Sequence, residues 1–121
     1  MAEKRFSTQL GTMESPELSA DYESAKKFDK LRVGKLGVYF RDGLRLRYVS
    51  YSDADRVFIR EREVNGKLCC GSTSFSYFSM VFRRDGKEFA DVLSEDEKAM
   101  KQALEEIKLM APGLATGYEA V

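Results

Sequence analysis

The 121-residue sequence predicts an α+β fold. The expected form is a bent antiparallel β-meander of six or seven strands, capped by an amphipathic C-terminal helix and preceded by a short N-terminal helix. Three observations predict it. Apolar runs between Leu31 and Leu93 are broken by Asp42-Gly43, Asn65-Gly66 and Asp85-Gly86, each a hairpin signal. Beyond Ser94 the apolar residues recur at helical spacing. With 43% hydrophobic and 12% aromatic residues, the chain can build one core in which helix and meander cover each other.

The elements follow in order. Residues 1–15 lack periodicity and read as a flexible segment. Ser15-Pro16-Glu17 is a helix start, with Ser as N-cap and Pro at the first helical position. Leu18, Tyr22, Ala25 and Phe28 continue at helical spacing, so a helix is expected over 17–29. Strands are expected within 31–93. A three-residue Arg41-Asp42-Gly43 loop would pair Phe40 with Leu44, Val38 with Leu46 and Leu36 with Tyr48. That register gathers the apolar side chains on one face and leaves Tyr39, Arg45 and Arg47 on the other. A two-residue Asn65-Gly66 turn would pair Glu61 with Cys70 and Arg62 with Cys69. Val57, Ile59, Leu68 and Cys70 would then point inward, and Arg60, Arg62 and Cys69 outward. Gly71-Ser72-Thr73-Ser74 reads as a loop; it lacks the Gly-Lys-Ser/Thr ending of a phosphate-binding loop. Ser94 to Glu97 reads as a capping box, opening a helix over 95–110 whose stripe is Met100, Ala103, Leu104, Ile107 and Met110. Pro112-Gly113 stops it, so a single domain spans 16–113 and a tail covers 114–121.

Charge and composition exclude several function classes. There are 20 Lys+Arg against 20 Asp+Glu, with no His and no Trp. Without His there is no Ser-His-Asp triad, no Cys-His pair and no imidazole metal ligand. Zero net charge gives no global field to draw in nucleic acid. The balance is uneven along the chain: residues 31–68 hold nine Lys/Arg against five Asp/Glu, and residues 69–121 six against nine. Cys69 and Cys70 are adjacent, and strand neighbours point to opposite faces, so no ordinary disulfide joins them. They read as thiols of a reducing compartment, and a cytoplasmic protein is expected. No stretch approaches the roughly 20 apolar residues that span a bilayer.

The order of elements carries a resemblance. Lys35-Leu36-Gly37-Val38-Tyr39-Phe40, an Arg/Tyr-rich second strand, the Tyr51-Ser52-Asp53-Ala54-Asp55-Arg56 lead-in to the third, and the final helix together resemble the pleckstrin-homology-like superfold. The segment from Gly34 to Pro112 is similar to small bacterial proteins of that kind, including GRAM-like domains. The resemblance implies a bent β-sandwich, or open barrel, with the helix plugging one end. Membrane-binding members carry a Lys, a spacer and a basic-x-Arg triplet on their first two strands to grip inositol phosphates. Lys35, Arg45 and Arg47 fit that pattern, although Lys35 stands at the start of its strand and the Trp of the family's helix is missing.

From the residues themselves, Arg45, Arg47, Arg56, Arg60 and Arg62 form a basic stripe if the second and third strands are neighbours. Two arginines two apart on one strand face can hold an anion with charge-assisted bonds. Tyr48, Tyr51, Phe75, Tyr77, Phe78 and Phe82 read as core and cross-strand packing and not as base-stacking platforms. Asp53 and Asp55 read as turn carboxylates. The expectation is therefore a non-enzymatic binding module with no catalytic residue, metal, cofactor or nucleic-acid partner. It would recognise a protein or peptide by strand addition along an edge beside the final helix. Its alternative is a membrane-surface module gripping anionic phospholipid headgroups. The expected contact residues are Lys35, Arg45, Arg47, Arg60 and Arg62, and an uncovered edge strand could also join two copies.

Overall fold

Two β-sheets face each other across a core, and a helix lies against both, in the computed structural model, which describes residues 5–8, 11–43, 45–68 and 71–116 and, over 62–76, the backbone alone. Cys69, Cys70 and Leu44 lie outside the described residues, and with them the thiol assignments.

The chain begins with strands where a flexible segment was expected. β1 (Arg5–Thr8) and β2 (Gly11–Glu14) pair antiparallel, and β1 also pairs parallel with β6 (Arg45–Ser50) at Ser7 and Arg47. α1 (Pro16–Ser24) starts at Ser15, whose hydroxyl accepts the Leu18 amide proton at 3.4 Å. It is shorter than the expected 17–29, because Lys26–Phe28 forms strand β3 and pairs with β4 (Leu31–Val33). The turn between them is Asp29-Lys30, with Asp29 left-handed at φ 53°, a conformation Asp tolerates. Phe28 thus reaches the main core beside Leu31 and not a helix face.

β5 (Gly37–Asp42) and β6 pair with Asp42 opposite Arg45, Phe40 opposite Arg47 and Val38 opposite Val49. The expected three-residue Arg41-Asp42-Gly43 loop is therefore corrected: β5 runs through Asp42, which pairs with Arg45, and Gly43 takes a left-handed φ of 63°. Alternation still decides the register, but both faces of this hairpin are buried. Val38, Phe40 and Val49 face the main core. Tyr39, Leu46 and Tyr48 face a second, smaller core with Phe6 and Leu18, against which Tyr22 and Ala25 pack. The rings of Tyr39 and Tyr48 stack at 5.1 Å. Sequence alternation assumed one wet face, and that assumption put Tyr39 beside the arginines. Gly37 is fixed by close approach: a Cβ there would lie 2.2 Å from the Val49 carbonyl oxygen.

The second sheet holds β7 (Arg56–Leu68), β8 (Gly71–Arg84) and β9 (Lys87–Ser94), with β10 (Ala115–Thr116) parallel to the start of β7. Asn65 and Gly66 are not a turn. They continue β7, paired with Ser74 and Thr73, and the hairpin closes with Leu68 opposite Gly71. The stretch Gly71–Ser74 is strand and not loop. Asp85-Gly86 does turn the chain, with φ 53° and 78° as a type I′ turn requires. Val57, Met80, Phe82, Ala90 and Val92 face the first sheet.

α2 (Glu97–Met110) packs against both sheets with Met100, Ala103 and Ile107, all fully buried. Its N-cap is Asp96, accepting from the Ala99 amide at 3.0 Å, and not Ser94. Ser94 belongs to β9, is buried, and its hydroxyl donates to Asp29 while accepting the Asp96 amide proton. Met110, expected in the apolar stripe, is exposed. No helix among the described residues is long and apolar enough to cross a membrane.

Candidate functional site

Two hairpins of the first sheet bring cations together. Lys27 pairs with Arg32, and Arg32 with Tyr39, across β3, β4 and β5. Lys30 sits in the β3–β4 turn, and Arg41 lies near the end of β5 opposite Leu46. Together with Tyr22 of α1 they line a groove of about 320 Å³. The lining sets four cations, Lys27, Lys30, Arg32 and Arg41, beside Tyr22, Tyr39, Phe40 and Leu46.

The electrostatics are one-sided. Asp29 is the only carboxylate among the lining residues, and its oxygen already accepts the Ser94 hydroxyl. Arg32 is fixed in place: its guanidinium donates to the Tyr22 carbonyl at 3.1 Å and lies 4.2 Å from the Tyr22 ring centre. Lys27, Lys30 and Arg41 are exposed, and among the described residues no carboxylate pairs with them. Unneutralised cations beside apolar side chains suit an anion carried on an apolar or extended body.

A second cavity of about 310 Å³ adjoins the groove and shares Lys30, Phe40 and Arg41 with it. Arg47 lines it, held 3.8 Å from Asp42 and over the Phe40 ring at 5.5 Å. Asp42 and Asp91 offset two of its three cations, so the larger excess of positive charge belongs to the first cavity, where Asp29 faces four.

The five residues proposed from sequence do not assemble. Lys35 lies in the turn joining β4 and β5, beside the Gly37–Ser50 rung, whereas Arg45 closes the far end opposite Asp42. Five rungs at about 3.4 Å separate those ends, roughly 17 Å. β6 and β7 belong to different sheets, so no continuous arginine stripe crosses them. Arg60 is bound through both guanidinium nitrogens to Glu88 and lies 5.5 Å from the centre of the Phe58 ring. Arg62 pairs with Tyr77 in the ladder, and its side chain lies outside the described residues. Of the five, only Arg47 borders the basic region. The missed residues, Lys27, Lys30, Arg32 and Arg41, flank two tight turns. Their signal was Asp29-Lys30 between Phe28 and Leu31, hidden by extending α1 too far.

A polar network holds Tyr39 of the groove lining. Asp21 of α1 is buried and accepts the Lys35 amide at 2.8 Å, the Leu36 amide at 3.0 Å and the Tyr39 hydroxyl at 2.7 Å. Tyr48 donates to the Leu36 carbonyl at 3.1 Å, and Tyr51 to the Gly34 carbonyl at 2.5 Å. Burial first, then the Asp21 carboxylate, holds the Tyr39 hydroxyl far above the ordinary phenol range. Burial likewise raises Tyr48 and Tyr51. Gly34 leaves room for the carboxylate, since a Cβ there would lie 2.3 Å from its oxygen. Asp53 and Asp55 serve turns, accepting the Ser50 and Asp85 amides.

The family model described as a domain of unknown function (DUF6709) matches residues 3–120. No curated protein and no solved structure matches the chain.

Proposed function

We propose, from the premise that the chain belongs to the DUF6709 family of domains of unknown function, that it is a non-enzymatic binding module of the cytoplasm. Its frame is pleckstrin-homology-like. What supports the frame is the order of four sequential antiparallel strands, β3 to β6, then three, β7 to β9, then α2. β1, β2 and α1 are additions to that frame.

The ligand is an extended acidic segment of a protein partner. The observation that carries this reading is the groove lining of Lys27, Lys30, Arg32 and Arg41, in which three cations have no carboxylate partner among the described residues. β3 is the last strand of its sheet in the described residues, and it lies beside α2, where Lys26 reaches Glu106 at 3.4 Å. A peptide adding along that edge lays alternate side chains on the face that bears Lys27 and Arg32. The test is fluorescence anisotropy with a labelled Glu-rich octapeptide, beside co-sedimentation with vesicles of phosphatidylcholine and phosphatidylserine. Salt-sensitive peptide binding, weakened about tenfold or more in Lys30→Glu/Arg41→Glu, is expected. Binding to vesicles alone overturns the peptide reading in favour of anionic headgroups. Binding to neither overturns the site.

A further inference from the structure

The hairpin of β7 and β8 outgrows its sheet. β9 pairs with β8 only from Phe78 to Arg84, because the chain leaves the sheet after Ser94 to start α2. β10 pairs with β7 only at Arg56 and Val57. From the Arg62–Tyr77 rung to the Leu68–Gly71 rung, the two strands have no third strand among the described residues. A two-stranded ribbon alone is marginal in water, and its free edges invite pairing.

The two edges differ in charge. β7 carries Arg60, Glu61, Arg62, Glu63 and Lys67. Residues 68–82 carry no charge at all, in a chain that is 33% charged, and they contain no Pro. Serine alternates through Ser72, Ser74 and Ser76, with Phe75 and Tyr77 among them. Apart from the two-residue β10, the terminal strands carry charge, as protected edges do: Lys26 and Lys27 on β3, Glu14 on β2, and Lys87, Glu88 and Asp91 on β9. The part of β8 over residues 71–76, which no third strand borders among the described residues, is thus the segment that lacks this protection.

We propose that the edge of β8 over residues 71–76 pairs antiparallel with the same edge of a second copy, making a two-fold dimer. Self-pairing fits this segment in particular. A two-fold axis through Ser74 sets Ser74 against Ser74, and Ser72 against Ser76, of the other copy. The residue on such an axis meets its own copy, so a charge there would face a like charge. This segment has none, and like-charge repulsion does not arise. The new rungs extend the line that β9 occupies farther along β8, giving the ribbon its third and fourth strands.

The experiment is sedimentation equilibrium of the full chain, wild type and with Ser74→Lys or Ser74→Glu. Position 74 faces the neutral Asn65 within its own hairpin, so neither charge opposes a neighbour in the ladder. Wild type is expected at twice the chain mass, and each variant alone at the chain mass. An equimolar mixture of the two variants is expected to regain the dimer, because Lys then faces Glu. Thermal melts of each variant check folding. A wild-type monomer overturns the proposal. So does a Ser74→Lys variant that stays dimeric, or folded variants whose mixture stays monomeric.

Discussion

Replacing Asp21 with Asn tests whether one buried carboxylate fixes the turn between β4 and β5. In the native chain one carboxylate oxygen accepts the Lys35 amide, and the other accepts both the Leu36 amide and the Tyr39 hydroxyl. Asn keeps the shape but has one acceptor oxygen. Whichever way the amide turns, its NH₂ faces a backbone N–H, and donor meets donor. One hydrogen bond to a charged acceptor is lost outright, and such bonds contribute about 1.5–3 kcal/mol. The remaining bonds lose their charge assistance, so a total loss of about 3 kcal/mol is expected. In urea, with a slope of about 1–3 kcal/mol per molar, the unfolding midpoint falls by roughly 1–3 M. Tyr39→Phe removes only the hydroxyl, at a cost of about 1–1.5 kcal/mol. In that background Asp21→Asn is expected to cost less than it does alone, by about 1 kcal/mol. An Asp21→Asn cost below about 1 kcal/mol, or strict additivity with Tyr39→Phe, would refute the assignment of this carboxylate as the tie between α1 and the turn.

Two further outcomes can be checked. Tyr39, Tyr48 and Tyr51 ionise above the ordinary value of 10.0 in the folded chain, so the unfolded chain loses those protons first. Stability is therefore complete below about pH 10 and falls above it, by at most about 1.4 kcal/mol per pH unit per tyrosine. Urea midpoints measured on either side of that pH show the fall, and Tyr39→Phe makes it shallower. Asp96→Ala is expected to destabilise by about 1 kcal/mol through loss of the helix cap, read by thermal melting at neutral pH. Asp96→Asn, which keeps an acceptor oxygen, is expected to retain most of that stability.

The sequence made the fold class legible, while individual faces had to be read from the structure. Leu31 to Leu93 reads as strands because Asp85-Gly86 and the apolar runs are local signals. Ser15-Pro16 marks the first helix for the same reason: cap chemistry is written in adjacent residues. Faces are set by distant partners. Gly37-Val38-Tyr39-Phe40 is apolar without alternation, because Phe6 and Leu18 cover one side of the hairpin while the second sheet covers the other. Nothing within the hairpin announces Phe6. Asn65-Gly66 has the composition of a turn, yet it continues a strand, because the ladder that fixes the register runs from Arg56 to Leu68. The basic groove was hidden by one boundary. Once α1 ends at Ser24, Lys27 and Arg32 become cross-strand neighbours; while it runs on to residue 29, they are not.

The smaller core also fixes where this unit can be divided. Taken as a meander with a capping helix, it would begin near Lys26, and everything before would be dispensable. Yet Tyr39, Leu46 and Tyr48 are roofed by residues from the first two dozen positions, with Phe6 fully buried among them. A fragment beginning at Lys26 opens a face of two tyrosines and a leucine to water and removes Tyr22 from the groove lining. The part of this chain that can be inherited, swapped or fused intact therefore begins at its first strand. The basic groove and the N-terminal roof then travel together.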